Sequence, residues 1–425
     1  MELGDGAQPL AFEPEYRAAA VYFLVDGVPM GHRFLNSAEL PLTAEQMWEI
    51  ATEAILPALT QYLVRNRPEG QLLNEFVALD PLDEFRRRRP QSSVPVDRVS
   101  VVICTRERPA ALSRCLASMR RLRAQPLEIL VIDNAPTTDA TRLAVAEFPE
   151  VRYKLQPRRG LSHARNTGIA ASRGEIIAFT DDDVEVTESW LDELIRPFAD
   201  GDVMCVTGLV IPAEMQTPQQ AMFEEWLPFH RGYLPLRFGI EWLRSFRKAP
   251  PVWDIGAGAN MAIRRSAFEA VGPFDTRLGA GASGCSEDSE LWYRLLAGGH
   301  IIEYSPSSMV LHYHRADEQS LAQQMKFYSR GHASALIIQF LRYGHRGNLR
   351  RLFAVLPSYL LRKLLGSIVF SEWWPYWKAS AIGFISGLFY LIGNRKSQAR
   401  VVSSRSVETH APVPLLSGGE SHGER

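Results

Sequence analysis

The chain has 425 residues, a length for two or three domains, and is 46% hydrophobic and 22% charged, as ordinary globular proteins are. Its formal net charge of −1 excludes an overall field that would draw it to nucleic acid or to an anionic surface. Its four cysteines, Cys104, Cys115, Cys205 and Cys285, match no zinc spacing and no disulfide framework, so a reducing compartment is expected.

The start, Met1-Glu2-Leu3-Gly4-Asp5, lacks the basic-then-apolar layout of a signal peptide. Residues 1–95 are expected to form a small α+β unit with a linker. Val21 to Val25 is a strand pattern, Asp26-Gly27 a hairpin turn, and Thr43 with Gln46 a capping box opening a helix to about Val64. Arg86 to Ser93 has the composition of a polar linker. Its four arginines could touch phospholipid or nucleic acid, but the short run without interleaved aromatics favours a solvated linker.

From Val99 the pattern changes to strands alternating with helices. Strands are expected at Val99–Cys104, Leu127–Ile132 and Glu175–Phe179. Helices are expected at Pro109–Leu122, Asp139–Phe148 and from Leu161 to Gly174, with Gly174 as a left-handed cap. This alternation predicts a parallel sheet covered on both faces.

The third strand runs into Asp181-Asp182-Asp183. Three adjacent carboxylates ending an apolar strand repel one another unless a cation sits there, and carboxylate oxygens suit Mg²⁺ or Mn²⁺. They also lie where ligands bind in parallel sheets, beyond the carboxyl ends of the strands. A solvated acidic turn is the plainer alternative. The loop after the first strand, with Thr105 and Arg106, leads into a helix and suits a phosphate or a base, yet holds no G-x-G-x-x-G. Asp133 closes the second strand as a hydrogen-bond acceptor or a turn residue. Arg165, on the first turns of the third helix, suits a phosphate or is a surface arginine.

Further on, Trp253 to Met261 is glycine-rich, and Glu287-Asp288 opens a helix as candidate base or as acids on the helix dipole. His312 and His314 follow a strand and lie on one side of it, as ligands or as structural histidines. From about Ser320 to Gly393 helices are expected. Glu372 to Trp377 is an aromatic knot, and Ala379 to Gly393 is apolar but short for a bilayer. No stretch reaches the uninterrupted apolar length of a membrane span. These helices fit either an interfacial anchor or a helix packed on the preceding domain. The tail after Lys396, rich in Ser, Gly and charge, is expected to be disordered.

Taken together and in order, Val99 to Pro109, Val131 to Asp139 and Gly160 to Asp183 resemble the family 2 glycosyltransferases of the GT-A fold, over about Val99 to Leu341. The resemblance implies an α/β fold with a Rossmann-like, mostly parallel sheet in residues 96–345. A helical, membrane-associated or packed region follows over 346–396, and a tail over 397–425. It implies donor contacts from Thr105, Arg106, Asp133, Arg165, Asp181, Asp182, Gly258, Asn260 and Glu287. It implies metal ligation by Asp181, Asp183 and His312, and Asp288 as the base. The cofactor is then Mg²⁺ or Mn²⁺. The partners are a nucleotide sugar and a saccharide or lipid-linked acceptor, with no nucleic acid. The location is cytoplasmic, with peripheral contact at the inner membrane face left open. The chain departs from the family pattern at Arg106-Glu107-Arg108 and at Asn134. A sugar nucleotidyltransferase and an inactive nucleotide-sugar-binding protein are the alternatives. A processive synthase is disfavoured because no Gln-x-x-Arg-Trp occurs.

Overall fold

The computed structural model describes residues 1–3, 6, 8–11, 18–65, 81–88 and 94–393. Strands β1 (Ala18–Val25) and β2 (Val28–Asn36) pair as the expected hairpin, with Asp26 and Gly27 both left-handed in the turn. Helix α1 (Ala44–Arg65) opens on the expected capping box. The Thr43 amide donates to Gln46 Oε1 at 2.9 Å, and the Gln46 amide to Thr43 Oγ1 at 3.2 Å. Phe23, Val25, Met47, Ala51 and Phe85 form the core of this unit.

Helix α2 (Pro81–Arg88) corrects the linker expectation: Arg86 to Arg88 finish a helix. Arg86 reaches Asp83 at 2.7 Å and Asp26 at 3.0 Å, tying α2 to the hairpin. The pair with Asp83, one turn earlier, gives Arg86 a helical partner that composition alone does not reveal. Residues 89–93 and the tail after Lys396 lie outside the described residues.

The larger unit contains, in order, β3 (Val99–Thr105), α3 (Pro109–Met119), β4 (Glu128–Asn134), α4 (Ala140–Ala146), β5 (Val151–Gln156), α5 (Leu161–Ala171), β6 (Ile176–Asp181) and β7 (Val184–Val186). It continues with α6 (Trp190–Ile195), β8 (Val203–Pro212), α7 (Pro218–Trp226), β9 (Leu236–Phe238), α8 (Ile240–Arg244), β10 (Asn260–Arg264), α9 (Arg265–Val271), α10 (Glu287–Ala297) and β11 (Ile301–His312). Among the described residues the strands β3 to β11 form one sheet of order β5-β4-β3-β6-β10-β8-β11-β7, with β9 beside β11.

The expected α/β alternation is present, and β3, β4, β5 and β6 are parallel. Strand β5 is an addition. It is an edge strand whose Arg152 and Lys154 break the apolar signal. Gly174 is not a left-handed cap; α5 ends at Ala171 and Gly174 has no positive φ. A Cβ at Gly174 would lie 2.6 Å from the Arg98 carbonyl, so close backbone packing explains the glycine.

Strand direction decides what meets at one edge. Strand β10 is antiparallel to β6, with Asn260 opposite Thr180, so the segment leading into β10 arrives where β6 ends. Strand β8 is antiparallel to β10, and β11 is parallel to β8. The carboxyl end of β11, His312, therefore emerges at that same edge. All four cysteines are free, as their spacing implied.

The C-terminal helices are α11 (Glu318–Tyr343), α12 (Arg346–Arg350), α13 (Leu356–Val369) and α14 (Trp374–Gly393). A π-helical turn at Arg351–Val355 joins α12 to α13. The result, Arg346–Val369, is 24 residues of helix, long and apolar enough by length and composition to cross a membrane, and 11% of its apolar 18-residue window is buried. The expectation concerned uninterrupted apolar runs; Arg350, Arg351, Arg362 and Lys363 interrupt this one, and the helix reaches the length with them included. Helix α14 packs along α11, and a Cβ at Gly387 would lie 2.6 Å from the Arg330 carbonyl. Its opposite face leaves Ile382, Ile385, Phe389 and Ile392 exposed.

Close backbone approach makes Gly387→Leu a direct test of this packing. The variant should lose about 1–3 kcal/mol by overpacking and show a lower thermal midpoint. An unchanged melt would mean that α14 does not rest on α11.

Candidate functional site

The acids at the end of β6 diverge. Asp182 is buried; its Oδ2 accepts from Thr105 Oγ1 at 2.7 Å and its Oδ1 from Arg108 Nη1 at 3.1 Å. Asp183 Oδ2 accepts from the same Arg108 nitrogen at 2.8 Å and lies 3.5 Å from Arg315 Nη2. Asp183 Oδ1 faces His312 Nε2 at 3.4 Å. Asp181 turns the other way, 3.5 Å from Arg165 Nη2, and its side chain is 31% exposed.

These neighbours set the charges. Burial and Asp183 push the Asp182 carboxyl up to about 6, against Arg108 and Thr105. Burial alone would also raise Asp183, but His312, Arg108 and Arg315 hold it well below the usual carboxylate range.

A second group of acids arrives on α10. Ser286, just before it, has φ 71°, a left-handed backbone that a side chain rarely adopts. Glu287 is buried and paired with Arg165 at 2.8 Å; burial nonetheless pushes its carboxyl up to about 7. Asp288 Oδ2 accepts from the Gly258 amide at 3.0 Å, and its Oδ1 from the Ser289 amide at 2.6 Å. Arg165 also donates to the Gly258 carbonyl at 3.3 Å. A Cβ at Gly258 would stand 2.8 Å from Asp288 and 2.9 Å from Arg165, so only glycine lets the three meet. Thus Arg165, itself buried, joins Asp181, Glu287 and Gly258 into one cluster beside Asp288.

The remaining residues singled out from the sequence are built into the walls. Thr105 is buried and spends its hydroxyl on Asp182. Arg106 donates to the Ala135 carbonyl at 3.4 Å and braces the neighbouring loop. Asp133 is fully buried; its Oδ2 accepts from the Tyr153 hydroxyl at 2.9 Å, and burial raises its pKa. Asn260 is fully buried too, bonded to Trp190, Leu209 and Ser308, so it cross-links strands and does not reach the cleft.

Three contributors were missed. Arg108 bridges two of the acids; nothing in Arg106-Glu107-Arg108 says which arginine points inward, because Glu107 takes a left-handed φ of 56° that reverses the loop. Glu107 itself receives the Thr137 amide and both the Thr137 and Thr138 hydroxyls, tying the β3 and β4 loops together. Asn134 holds the Gly160 amide at 2.8 Å and the Arg158 carbonyl at 2.8 Å, so the departure from Asp supplies a donor as well as an acceptor.

Among the described residues no group of three or more His, Cys, Asp or Glu could hold a metal ion. Asp183 and His312 offer an oxygen and a nitrogen 3.4 Å apart. Two neighbouring ligands on an octahedral cation of Mg²⁺ size stand roughly 3 Å apart, so the pair fits a cation that completes its shell from a ligand's oxygens and water.

Removing Arg108 takes away the cation that favours the ionised form of Asp182, so the carboxyl would keep its proton to higher pH. The stability lost in Arg108→Ala should therefore be smaller at pH 5 and grow as pH rises through about 6. It should reach about 1–2 kcal/mol at pH 8, since Arg108 is partly exposed. Urea unfolding at both pH values measures it; an equal penalty at both would contradict the shared-cation geometry.

Residues 100–272 match the family model described as Glycosyl transferase family 2. The chain is 29% identical over 256 residues to a pre-mycofactocin glycosyltransferase of Mycobacterium tuberculosis, covering 59% of this chain and 50% of that one. It is 28% identical over 225 residues to the succinoglycan biosynthesis protein ExoM of Rhizobium meliloti, covering 50% and 65%. The chain thus spans about half the length of the mycobacterial relative. A mannosyltransferase from Pyrobaculum calidifontis, solved with GDP-Man and Mn²⁺, aligns over 79% of this chain and 95% of its own, with TM-score 0.45 and 16% identity. Through residues 100–272 the chain is similar to glycosyl transferase family 2.

Proposed function

We propose that this protein moves one sugar from a nucleotide-diphosphate donor to an acceptor hydroxyl, with inversion at the anomeric carbon and with Mg²⁺ or Mn²⁺. The observation that carries the proposal is the meeting of Asp181, Asp183, Arg165, Asp288 and His312 at one sheet edge. Two polar functions lie side by side there, a cationic and carboxylate side suited to a diphosphate and a carboxylate at the mouth of α10.

In this proposal Asp183 and His312 would hold the divalent cation, with Asp181 beside it on the donor side. Bound there, the cation would supply charge neutralisation to the departing diphosphate. Arg108 and Arg315 approach Asp183 and can turn to phosphate oxygens, which guanidinium binds well. Arg165 is committed to Asp181, Glu287 and Gly258, so it fixes the floor of the site more than it binds ligand. Thr105 and Asp182 hold the β3 loop at the acids.

Asp288 is the proposed base. Its two oxygens accept backbone amides from Gly258 and Ser289, which fixes the carboxylate while leaving lone pairs for an acceptor hydroxyl. The hydroxyl oxygen attacks the anomeric carbon from the face opposite the diphosphate, its proton passes to Asp288, and the nucleotide diphosphate leaves. A single displacement inverts the centre. A nucleotidyltransferase would want a glycine-rich basic loop after the first strand, and Thr105 to Pro109 holds no glycine.

The acceptor is a growing glycan or lipid-linked saccharide, met at the cytoplasmic face of a membrane. What supports the location is the apolar outer face of α13 and α14, where Leu361, Leu365, Ile368, Val369, Phe389 and Ile392 are exposed. Lys363 stands over the Trp226 ring at 4.4 Å, so cations flank that face as they do at membrane surfaces.

Asp288→Asn should lower transfer by roughly 10²–10⁴-fold while sparing donor binding, measured by turnover and calorimetry on the same preparation. Turnover at the native rate would remove Asp288 from this role. In a second experiment Ile368→Asp with Val369→Asp should abolish flotation with anionic liposomes; flotation equal to the native protein would remove this face from membrane contact.

A further inference from the structure

We propose that Arg330, on α11, is a positioning residue for Asp288. By holding two backbone carbonyls of the 279–286 loop, it keeps that loop in the conformation that presents Asp288 to Gly258. The inference rests on the reading of Asp288 as the base and deepens it.

The loop before α10 depends on left-handed backbone. Gly279, Gly281, Gly284 and Ser286 take φ values of 95°, 84°, 119° and 71°. Ser286 carries a side chain, and such a residue stays left-handed only where its surroundings over-determine it. One side of the loop is fixed on α5. The Leu161 amide donates to the Ala280 carbonyl at 2.8 Å, and the Ser162 hydroxyl to the Leu278 carbonyl at 2.7 Å. Arg165 lies on that same helix and pairs with Glu287.

The other side of the loop is fixed on α11. Arg330 Nε donates to the Ser283 carbonyl at 2.6 Å, and its Nη2 donates to the Ala282 carbonyl. Those carbonyls lie in the turn between Gly281 and Gly284, and one planar guanidinium satisfies both with charge-assisted bonds. Loop and helix also approach closely along their backbones. A Cβ at Gly284 would stand 2.9 Å from the Phe327 carbonyl oxygen, and one at Gly331 would stand 2.6 Å from that of Cys285. The Cys285 thiol faces the Phe327 and Tyr328 carbonyls at 3.6 Å. The guanidinium lies over the Phe327 ring at 5.2 Å and over the Tyr390 ring of α14 at 5.3 Å, which hold it in place. Through Tyr390 the C-terminal helices stand directly behind the loop. Asp288 follows Ser286 by two residues, so a change in the loop's exit moves its carboxylate off the Gly258 amide, 3.0 Å away. A misplacement of about 1 Å at a reacting group can cost roughly 10²-fold in rate.

Hydrogen exchange by mass spectrometry on the full chain tests the hold of Arg330. Arg330→Met keeps the apolar stem and removes every donor. Peptides covering Gly258 and Ser289, whose amides bond Asp288, should then exchange about 10-fold faster or more, while those of β3 and β4 exchange as in the native protein. Arg330→Lys keeps the charge and one donor and should recover part of the loss; it carries the same comparison with the native protein if Arg330→Met does not fold. Native exchange at both sites in the folded variant overturns the proposal. Steady-state hydrolysis of UDP-glucose, GDP-mannose and TDP-glucose with Mn²⁺ separates positioning from mere support. With any donor that the native protein hydrolyses, Arg330→Met should lower kcat roughly 10–100-fold and leave KM within about twofold. An unchanged kcat, or a loss confined to KM, overturns the proposal. Hydrolysis by Asp288→Asn at the native rate, or by the native protein of none of the three, would fail the base reading instead, and the exchange would still decide whether Arg330 holds Asp288.

Discussion

Three carboxylates at the end of one buried strand set the terms for everything around them. Two unit charges 4 Å apart interact by about 4 kcal/mol at an effective dielectric of 20, so three adjacent acids are untenable without counter-charge. The fold answers with cations from three separate places. Arg108, at the start of α3, lies between Asp182 and Asp183. Arg165, on α5, faces Asp181. Arg315, past the end of β11, faces Asp183, and the His312 ring at the strand's end lies beside it. Each cation fixes the element that carries it, so the acids help to decide where α3, α5 and β11 end relative to one another. Neutralisation is also what makes the edge usable. Guanidinium groups that balance these carboxylates also suit the oxygens of a diphosphate.

The sheet direction makes this meeting possible. Strands that run with β6 bring their carboxyl ends to this edge, and β11 is one of them. Strand β10 runs the other way, so Gly258 arrives just before the strand begins, and β11 returns to deliver His312. Asp288 reaches the edge from α10, where its carboxylate caps the Gly258 amide. Residues separated by more than 120 positions, such as Arg165 and Glu287, become one buried ion pair. Breaking such a pair from one side strands a buried charge, which makes this cluster a stiff floor for the site.

The parts of this picture that were legible in the sequence are those carried by local pattern. The apolar runs of β3, β4 and β6 and the turn residues of the first hairpin are visible because each depends on neighbours in the chain. The capping box at Thr43 and Gln46 is visible for the same reason, down to its two hydrogen bonds. Strand β5 was hidden because an edge strand tolerates Arg152 and Lys154. The 24-residue helix Arg346–Val369 was hidden because its arginines interrupt the apolar run. Of the site, the acids were legible as a cluster but their directions were not. Whether Asp182 turns inward to Thr105 or Arg108 turns toward the acids depends on a left-handed Glu107, and no local rule fixes that. Asn260 was misjudged for a related reason. The family resemblance implied a donor contact there, while its partners are Trp190, Leu209 and Ser308, brought in by the tertiary fold.

The central claim is that this sheet edge binds a nucleotide-diphosphate sugar through Asp183. The most direct measurement is the thermal midpoint of the protein against a panel of UDP, GDP and TDP sugars, each with Mn²⁺ and with EDTA. A rise with at least one donor in Mn²⁺, lost in EDTA and in Asp183→Asn, is the predicted result. A native protein indifferent to every donor, or one whose rise survives in Asp183→Asn, would contradict the account.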